Sequence, residues 1–309
     1  MNYILHLFIL SIMMSTNVVA QITYPSKPIR LIAPPAGGTA DYIIRSFIEE
    51  VRKQTNWSIL IDNRPGGVST AIVSTSEPDG YTIAIGSNYM WIDTLIDPSR
   101  GFIEKNVVPG SHLTTTYIWL VANKNASFGT VDELINQAKA DPGRIMYARG
   151  SIRSTTHMAG VLFNHRAGIK LRDIDYKNTI QAYVTIAGTE TNMVIFPPIN
   201  ATILGFLNAG KVRILAVTSP ERLSILPDIP TLNSYFKGFE IKVILGTFFP
   251  KHTPNEVIDL WNKYLKQVAN APGFKERHAI TYTQIIASSP EEFNKIIASD
   301  RNMWKSIIP

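Results

Sequence analysis

The chain has 309 residues, 45% of them hydrophobic, enough to bury one large core or two medium ones. It contains no cysteine, which excludes structural disulfides, a catalytic thiol, a thiolate metal site and the acylated cysteine of a lipoprotein anchor. The formal charge is +6, but no basic block or aromatic-interleaved basic stretch appears, so no nucleic-acid partner is expected.

Residues 1–20 carry no Lys, Arg, Asp or Glu. Residues 4–14 are an apolar run too short to span a bilayer comfortably, and Val18-Val19-Ala20 offers small side chains to a signal peptidase. A cleaved signal peptide over 1–20 is expected, leaving a protein soluble outside the cytoplasmic membrane. No later segment reads as a membrane span.

The first strand is expected over 28–33, built on Leu31, Ile32 and Ala33. Pro34-Pro35-Ala36-Gly37-Gly38 then turns the chain, and Thr39 or Asp41 can cap the helix that follows. Ile43, Ile44, Phe47, Ile48 and Val51 lie on one face of that helix. The free N–H groups of such a turn and helix start suit an anion. Further strand-like runs fall at 58–62, 81–86, 117–122, 145–148, 193–196, 212–218 and 241–249, with helical patterns between many of them. This alternation predicts α/β units with mainly parallel strands. Thr130-Val131-Asp132-Glu133 and Ser289-Pro290-Glu291-Glu292 read as capping boxes. Thr253-Pro254-Asn255-Glu256 places Pro at a first helical position. The aromatic residues of these helices are expected in the core.

No catalytic constellation is present. The chain lacks Gly-x-Ser-x-Gly, a Walker A loop, His-Glu-x-x-His and Gly-x-Gly-x-x-Gly. Nothing in the spacing of Ser87, His157 and Asp41 supports a triad. His157 and His165 are two helical turns apart, too far for paired ligation of one zinc ion. Neither a metal nor a cofactor is expected, and the protein is read as a non-enzyme.

Several short motifs lie in a recognisable order. They include Tyr24-Pro25-Ser26-Lys27-Pro28-Ile29-Arg30, the Gly37-Gly38 loop with Asp41, Asp62-Asn63-Arg64-Pro65-Gly66-Gly67 and Pro78-Asp79-Gly80-Tyr81-Thr82. Ala138-Lys139-Ala140-Asp141-Pro142-Gly143, Tyr147-Ala148, Thr155-Thr156-His157-Met158-Ala159-Gly160 and Tyr176-Lys177 follow. Gly210-Lys211-Val212-Arg213-Ile214-Leu215-Ala216-Val217-Thr218 and Leu226-Pro227-Asp228-Ile229-Pro230-Thr231 close the series. Together they resemble the Bug family, the solute-binding proteins of tripartite tricarboxylate transporters, over nearly the whole mature chain.

The resemblance implies a two-lobed α/β fold of the type II periplasmic binding protein kind, hinged on two crossover strands. Lobe one would combine 22–120 with 247–309, and lobe two would be 121–246. The protein would be a periplasmic monomer that captures a small organic anion, expected to be a carboxylate, for the membrane subunits of a tripartite transporter. The alternative is a periplasmic sensor presenting its closed form to a signalling receptor. A secreted hydrolase is a distant third.

Family motif positions imply the ligand-binding residues. Pro35, Ala36, Gly37, Gly38, Thr39 and Asp41 form the first-lobe loop, with backbone N–H donors. Asn63, Ser87 and Asn88 stand at other strand ends. Arg153, Ser154, Thr155, Thr156 and His157 form the second-lobe loop, where Ser154 or Thr155 can cap the following helix. The chain also departs from the family pattern. Its first loop is one residue shorter than usual, with Pro35 in place of Phe. Ser151 and Arg153 stand where two glycines are usual, and Arg149 where a small residue is usual. Leu245-Gly246-Thr247-Phe248-Phe249 replaces a Trp-x-Gly segment. Arg153 could offer a planar fork to a carboxylate or point to solvent, and Arg149 is expected in solvent.

Overall fold

A computed structural model describes residues 24–64, 66–100, 105–149, 152–176, 179–224, 226–279 and 282–308. The expected leader, residues 1–20, lies outside the described residues, as does Ser151.

Strands and helices alternate. The first part runs β1 (Ile29–Ala33), α1 (Thr39–Thr55), β2 (Ile59–Asn63), α2 (Gly66–Ser74), β3 (Thr82–Ser87), α3 (Tyr89–Ile96) and β4 (Val107–Tyr117). The middle runs β5 (Trp119–Asn123), α4 (Val131–Ala140), β6 (Met146–Arg149), α5 (Thr155–Ala167), β7 (Arg172–Asp175) and α6 (Thr179–Ile186). It continues through β8 (Met193–Ile195), α7 (Ala201–Asn208), β9 (Val212–Val217) and α8 (Leu232–Tyr235). The last part is β10 (Lys242–Pro250), α9 (Asn255–Ala269), α10 (Phe274–Ala279), β11 (Thr283–Ile285) and α11 (Pro290–Lys305).

These strands form two sheets, in the orders β11-β4-β10-β3-β1-β2 and β7-β6-β8-β5-β9. In the first sheet β1 runs parallel to β2 and β3, while β10 is antiparallel to β3 and β4. In the second, β6 is parallel to β7 and β8, and β5 is antiparallel to β8 and β9. The carboxyl ends of β1, β2 and β3 therefore share one edge of the first sheet. Helices cover the sheets because their apolar stripes need burial. Ile43, Ile44, Phe47, Ile48 and Val51 of α1 are buried, as expected, with Trp261 and Leu265 of α9 in the same cluster. The second sheet has its own cluster around Trp119, Val121, Ile195 and Val217. A third cluster joins residues of both, from Ala84 and Phe248 to Leu120, Phe163 and Phe196.

The chain passes from the first sheet to the second at Ile118, and returns between Val217 and Lys242. Thr218 ties both passages. Its N–H donates to the Ile118 carbonyl at 3.0 Å, and its hydroxyl accepts the Ile118 N–H at 3.1 Å and donates to the Ile241 carbonyl at 2.5 Å. The expected strand over 117–122 is in fact broken at Ile118. The eleven-residue β4 ahead of it was not expected, since Pro109, Gly110 and its threonines hide any alternation. β10 pairs within the first sheet along its whole length, from Lys242 opposite Tyr117 to Pro250 opposite Val107.

Ser289 and Glu292 form the expected capping box. Thr130 accepts the Glu133 N–H, but the Glu133 carboxylate accepts the Gly129 N–H and not that of Thr130, so the expected box there is half formed. Pro254 is the cap residue ahead of α9, with ψ at 136°, and not its first helical residue.

Candidate functional site

The first loop, 34–38, leaves β1 at the shared strand edge. Gly37 has φ +83°, which a side chain would resist. Gly38 is the N-cap of α1 and supplies no side-chain hydrogen bond, so neither Thr39 nor Asp41 caps in the expected way. Asp41 holds the loop from behind. One carboxylate oxygen accepts the Gly37 N–H at 3.1 Å and Arg45 Nε at 2.9 Å; the other accepts Asn63 Nδ2 at 2.8 Å. Asn63 also donates to the Pro34 carbonyl and accepts Arg45 Nη2 at 2.7 Å. Burial raises the Asp41 carboxyl pKa, but the hydrogen bonds from Arg45, Asn63 and Gly37 outweigh it and hold the group below its usual value. Asp41 and Asn63 are thereby committed to the loop's shape. Pro35, Ala36, Gly37 and Gly38 are exposed, and the N–H groups of Gly38, Thr39 and Ala40 meet no acceptor among the described residues.

The second loop leaves β6 and enters α5. Ser154 is the cap, accepting the His157 N–H at 3.2 Å, and its hydroxyl lies 3.0 Å from that of Thr156. Arg153 takes up φ +64°, a conformation in which glycine is at ease. His157 Nδ1 accepts the Arg153 N–H at 3.0 Å and so fixes that turn. Burial pushes the His157 imidazole pKa below its usual value, opposed by Asp173 and Asp175 and reinforced by Arg149. The Tyr147 hydroxyl donates toward the Thr156 carbonyl, with that of His157 at 3.2 Å. Its ring lies where a Cβ on Gly160 would come within 2.2 Å of it, which explains Gly160 on α5. Arg149 is not in solvent. It pairs with Asp173 at 2.9 Å and Asp175 at 3.1 Å, both on β7.

The second loop docks on Asn88, which follows β3 and is fully buried. Its Oδ1 accepts the Thr155 hydroxyl at 2.9 Å and the Ile244 N–H at 3.3 Å. Its Nδ2 donates to the Lys242 carbonyl at 2.7 Å and lies 3.5 Å from Asp300. Asp300 also accepts the indole N–H groups of Trp91 at 2.7 Å and Trp304 at 3.1 Å. Arg153 does not point to solvent either. Its Nη1 donates to Asp93 of α3 at 2.9 Å and lies 3.8 Å from Asp97, the residue that caps the end of α3.

Thus Thr155 at the start of α5 is docked against the end of β3, whose neighbour β1 feeds the start of α1. Ser87 is half-buried at the end of β3. Asp93, Asp97, Arg45 and Asp300 were missed by the sequence. The partners of Asp93, Asp97 and Asp300 stand too far away in the chain for any local signal to show, whereas Arg45 lies four residues from Asp41 on one helix face and could have been found from that spacing.

The fold is that of periplasmic binding proteins. A solved structure of periplasmic binding protein BugD superposes with a TM-score of 0.81 at 25% identity, covering 92% of this chain and 97% of that one. The family model for the tripartite tricarboxylate transporter family receptor, TctC, matches residues 43–309. The chain belongs to the TctC family. BugT of Bordetella pertussis is 25% identical over 300 residues, covering 94% of this TctC chain and 91% of BugT. The structure of Rpa4515 of R. palustris with adipate superposes at TM-score 0.83 with 22% identity, covering 92% of this chain and 97% of that one.

This TctC protein presents loop and helix-start N–H groups at the first loop and a helix start at the second. Asp41 is bonded to Gly37, Arg45 and Asn63, and the His157 ring to the Arg153 N–H. The two do not form a triad with Ser87. Among the described residues no helix is long and apolar enough to cross a membrane.

Proposed function

We propose that the protein captures a small organic anion, a carboxylate, in the periplasm for the membrane subunits of a tripartite transporter, without chemical turnover. The observation that carries this reading is the docking of Thr155 on Asn88. It brings the start of α5 to the strand edge from which the first loop and α1 depart. Two helix starts at one edge give an anion backbone donors from both sides, and each helix carries partial positive charge there. Membership of a family of transporter receptors supports the reading, and so does adipate in a protein of the same fold. The proposed moving lobes are 22–120 with 247–309, and 121–246. The sheets favour a second junction at Ile241 and Lys242. Closure would turn on the strand ends tied by Thr218. The mature chain is proposed to begin at Gln21 and to act as a monomer.

A thermal-shift panel of mono- and dicarboxylates, including adipate, tests the proposal. A solute at 100 times its dissociation constant stabilises by about 2.7 kcal/mol, which raises the melting temperature by a few degrees. A flat panel, on protein shown by native mass spectrometry to be empty, would sink the carboxylate reading.

A further inference from the structure

Among the described residues, Arg153 and Thr155 reach from the unit of the second sheet to side chains of the first. Arg153, ahead of α5, pairs with Asp93 of α3 at 2.9 Å and approaches Asp97, just past its end, at 3.8 Å. Thr155 donates to Asn88 at 2.9 Å. We propose that Arg153 is a positioning residue: with Asp93 it forms a clasp that biases the two units toward the closed arrangement before any solute arrives.

Three observations carry this. First, the backbone at Arg153 has φ +64°, where glycine is at ease and a long side chain is not. The chain nevertheless holds an arginine there and locks it, because His157 Nδ1 accepts its N–H at 3.0 Å. Second, the Asp93 side chain is only 6% exposed and that of Arg153 28%. In so shielded a setting the pair attracts more strongly than an exposed ion pair does, which favours the arrangement that holds it. Third, the acceptor for Thr155 is preset. The Asn88 amide donates to the Lys242 carbonyl and accepts the Ile244 N–H, so a flipped amide would set donor against donor. The second contact thus reinforces the first.

The consequence reaches recognition. With its charge committed to Asp93, Arg153 is not the anion's partner, and anion contacts fall to backbone N–H groups at the helix starts. A population already closed also raises apparent affinity, in proportion to the competent fraction.

Small-angle scattering of the solute-free protein, its emptiness verified by native mass spectrometry, tests the clasp. Arg153→Gly removes the charge and relieves the backbone. Asp93→Asn removes the partner charge, and Arg153→Lys keeps a cation. Circular dichroism confirms that each variant is folded. The wild-type curve should match that calculated from this structure. Arg153→Gly and Asp93→Asn should shift to a larger radius of gyration, with Arg153→Lys nearer wild type. Should Asp93→Asn fail to fold, the two Arg153 variants decide. Superposable curves for wild type and Arg153→Gly would overturn the clasp. No solute is present, so this result is independent of whether the carboxylate panel succeeds.

Discussion

His157 Nδ1 accepts the backbone N–H of Arg153 at 3.0 Å, so the ring of one residue fixes the backbone of another four positions earlier. Only an unprotonated Nδ1 can accept. Burial, the largest influence, lowers the His157 pKa below the ordinary 6.5. The bond is therefore intact above that lowered value and lost as pH falls through it. Nitrogen-resolved NMR should show the Arg153 amide in one position at neutral pH and shifting in acid, together with the His157 ring signals. An amide that ignores the titration of His157 would refute the bond.

A second prediction concerns Asp41, which binds three donors of the first loop and its surroundings. Asp41→Ala removes the acceptor of the Gly37 N–H and of Arg45 Nε, and one of the two acceptors of Asn63 Nδ2. Hydrogen bonds to a charged group contribute about 1.5–3 kcal/mol each before partners relax toward water, and Gly37 and Arg45 can do so. A loss of about 1–3 kcal/mol in urea unfolding is expected. Faster amide exchange through 34–38 should accompany it. An unchanged midpoint would mean that the loop keeps its shape without the carboxylate.

Most of the α/β frame was legible because it rests on local pattern. Leu31 to Ala33, the Phe47 face and the caps at Thr130 and Ser289 carry their own signals. β4 was missed because Val107 to Tyr117 is covered on both faces, so Thr114, Thr115 and Thr116 are buried like apolar residues. β7 was missed because Arg172 to Asp175 is an edge strand, mostly exposed and charged. At the site, the Ser154 cap was legible from three residues. The pairing of Arg153 with Asp93 was not, because 60 positions separate them and only the approach of the two units brings them together.

A third prediction tests the seat of α5. A Cβ on Gly160 would stand 2.2 Å from the Tyr147 ring, which is buried and held by its hydroxyl under the helix start. The ring cannot give way without losing that bond. Gly160→Ala should cost about 1–3 kcal/mol, the usual price of overpacking, even though alanine favours helix. A variant as stable as wild type would show that α5 can slide on β6.

The last prediction is a pH dependence of stability set by His112. Its ring stacks on Phe293 at 5.4 Å, and its Nε2 lies 3.0 Å from both the Thr114 carbonyl and the Thr115 hydroxyl. Burial pushes the imidazole down to about 4, opposed by the Thr114 carbonyl and reinforced by Lys242. In the unfolded chain the ordinary value is about 6.5. Between these values the unfolded state binds a proton that the folded state refuses, so stability rises with pH through that window. The contribution is complete above about 6.5 and gone below about 4, and spans at most about 3 kcal/mol. His157 and His278, also lowered by burial, act in the same direction. Asp300, raised by burial, acts in the opposite one. The readout is therefore the difference between wild type and His112→Gln in urea unfolding across that pH range. The wild-type curve should be steeper by up to one proton. Parallel curves would mean that His112 is protonated alike in both states, and that the packing around Phe293 tolerates a charge.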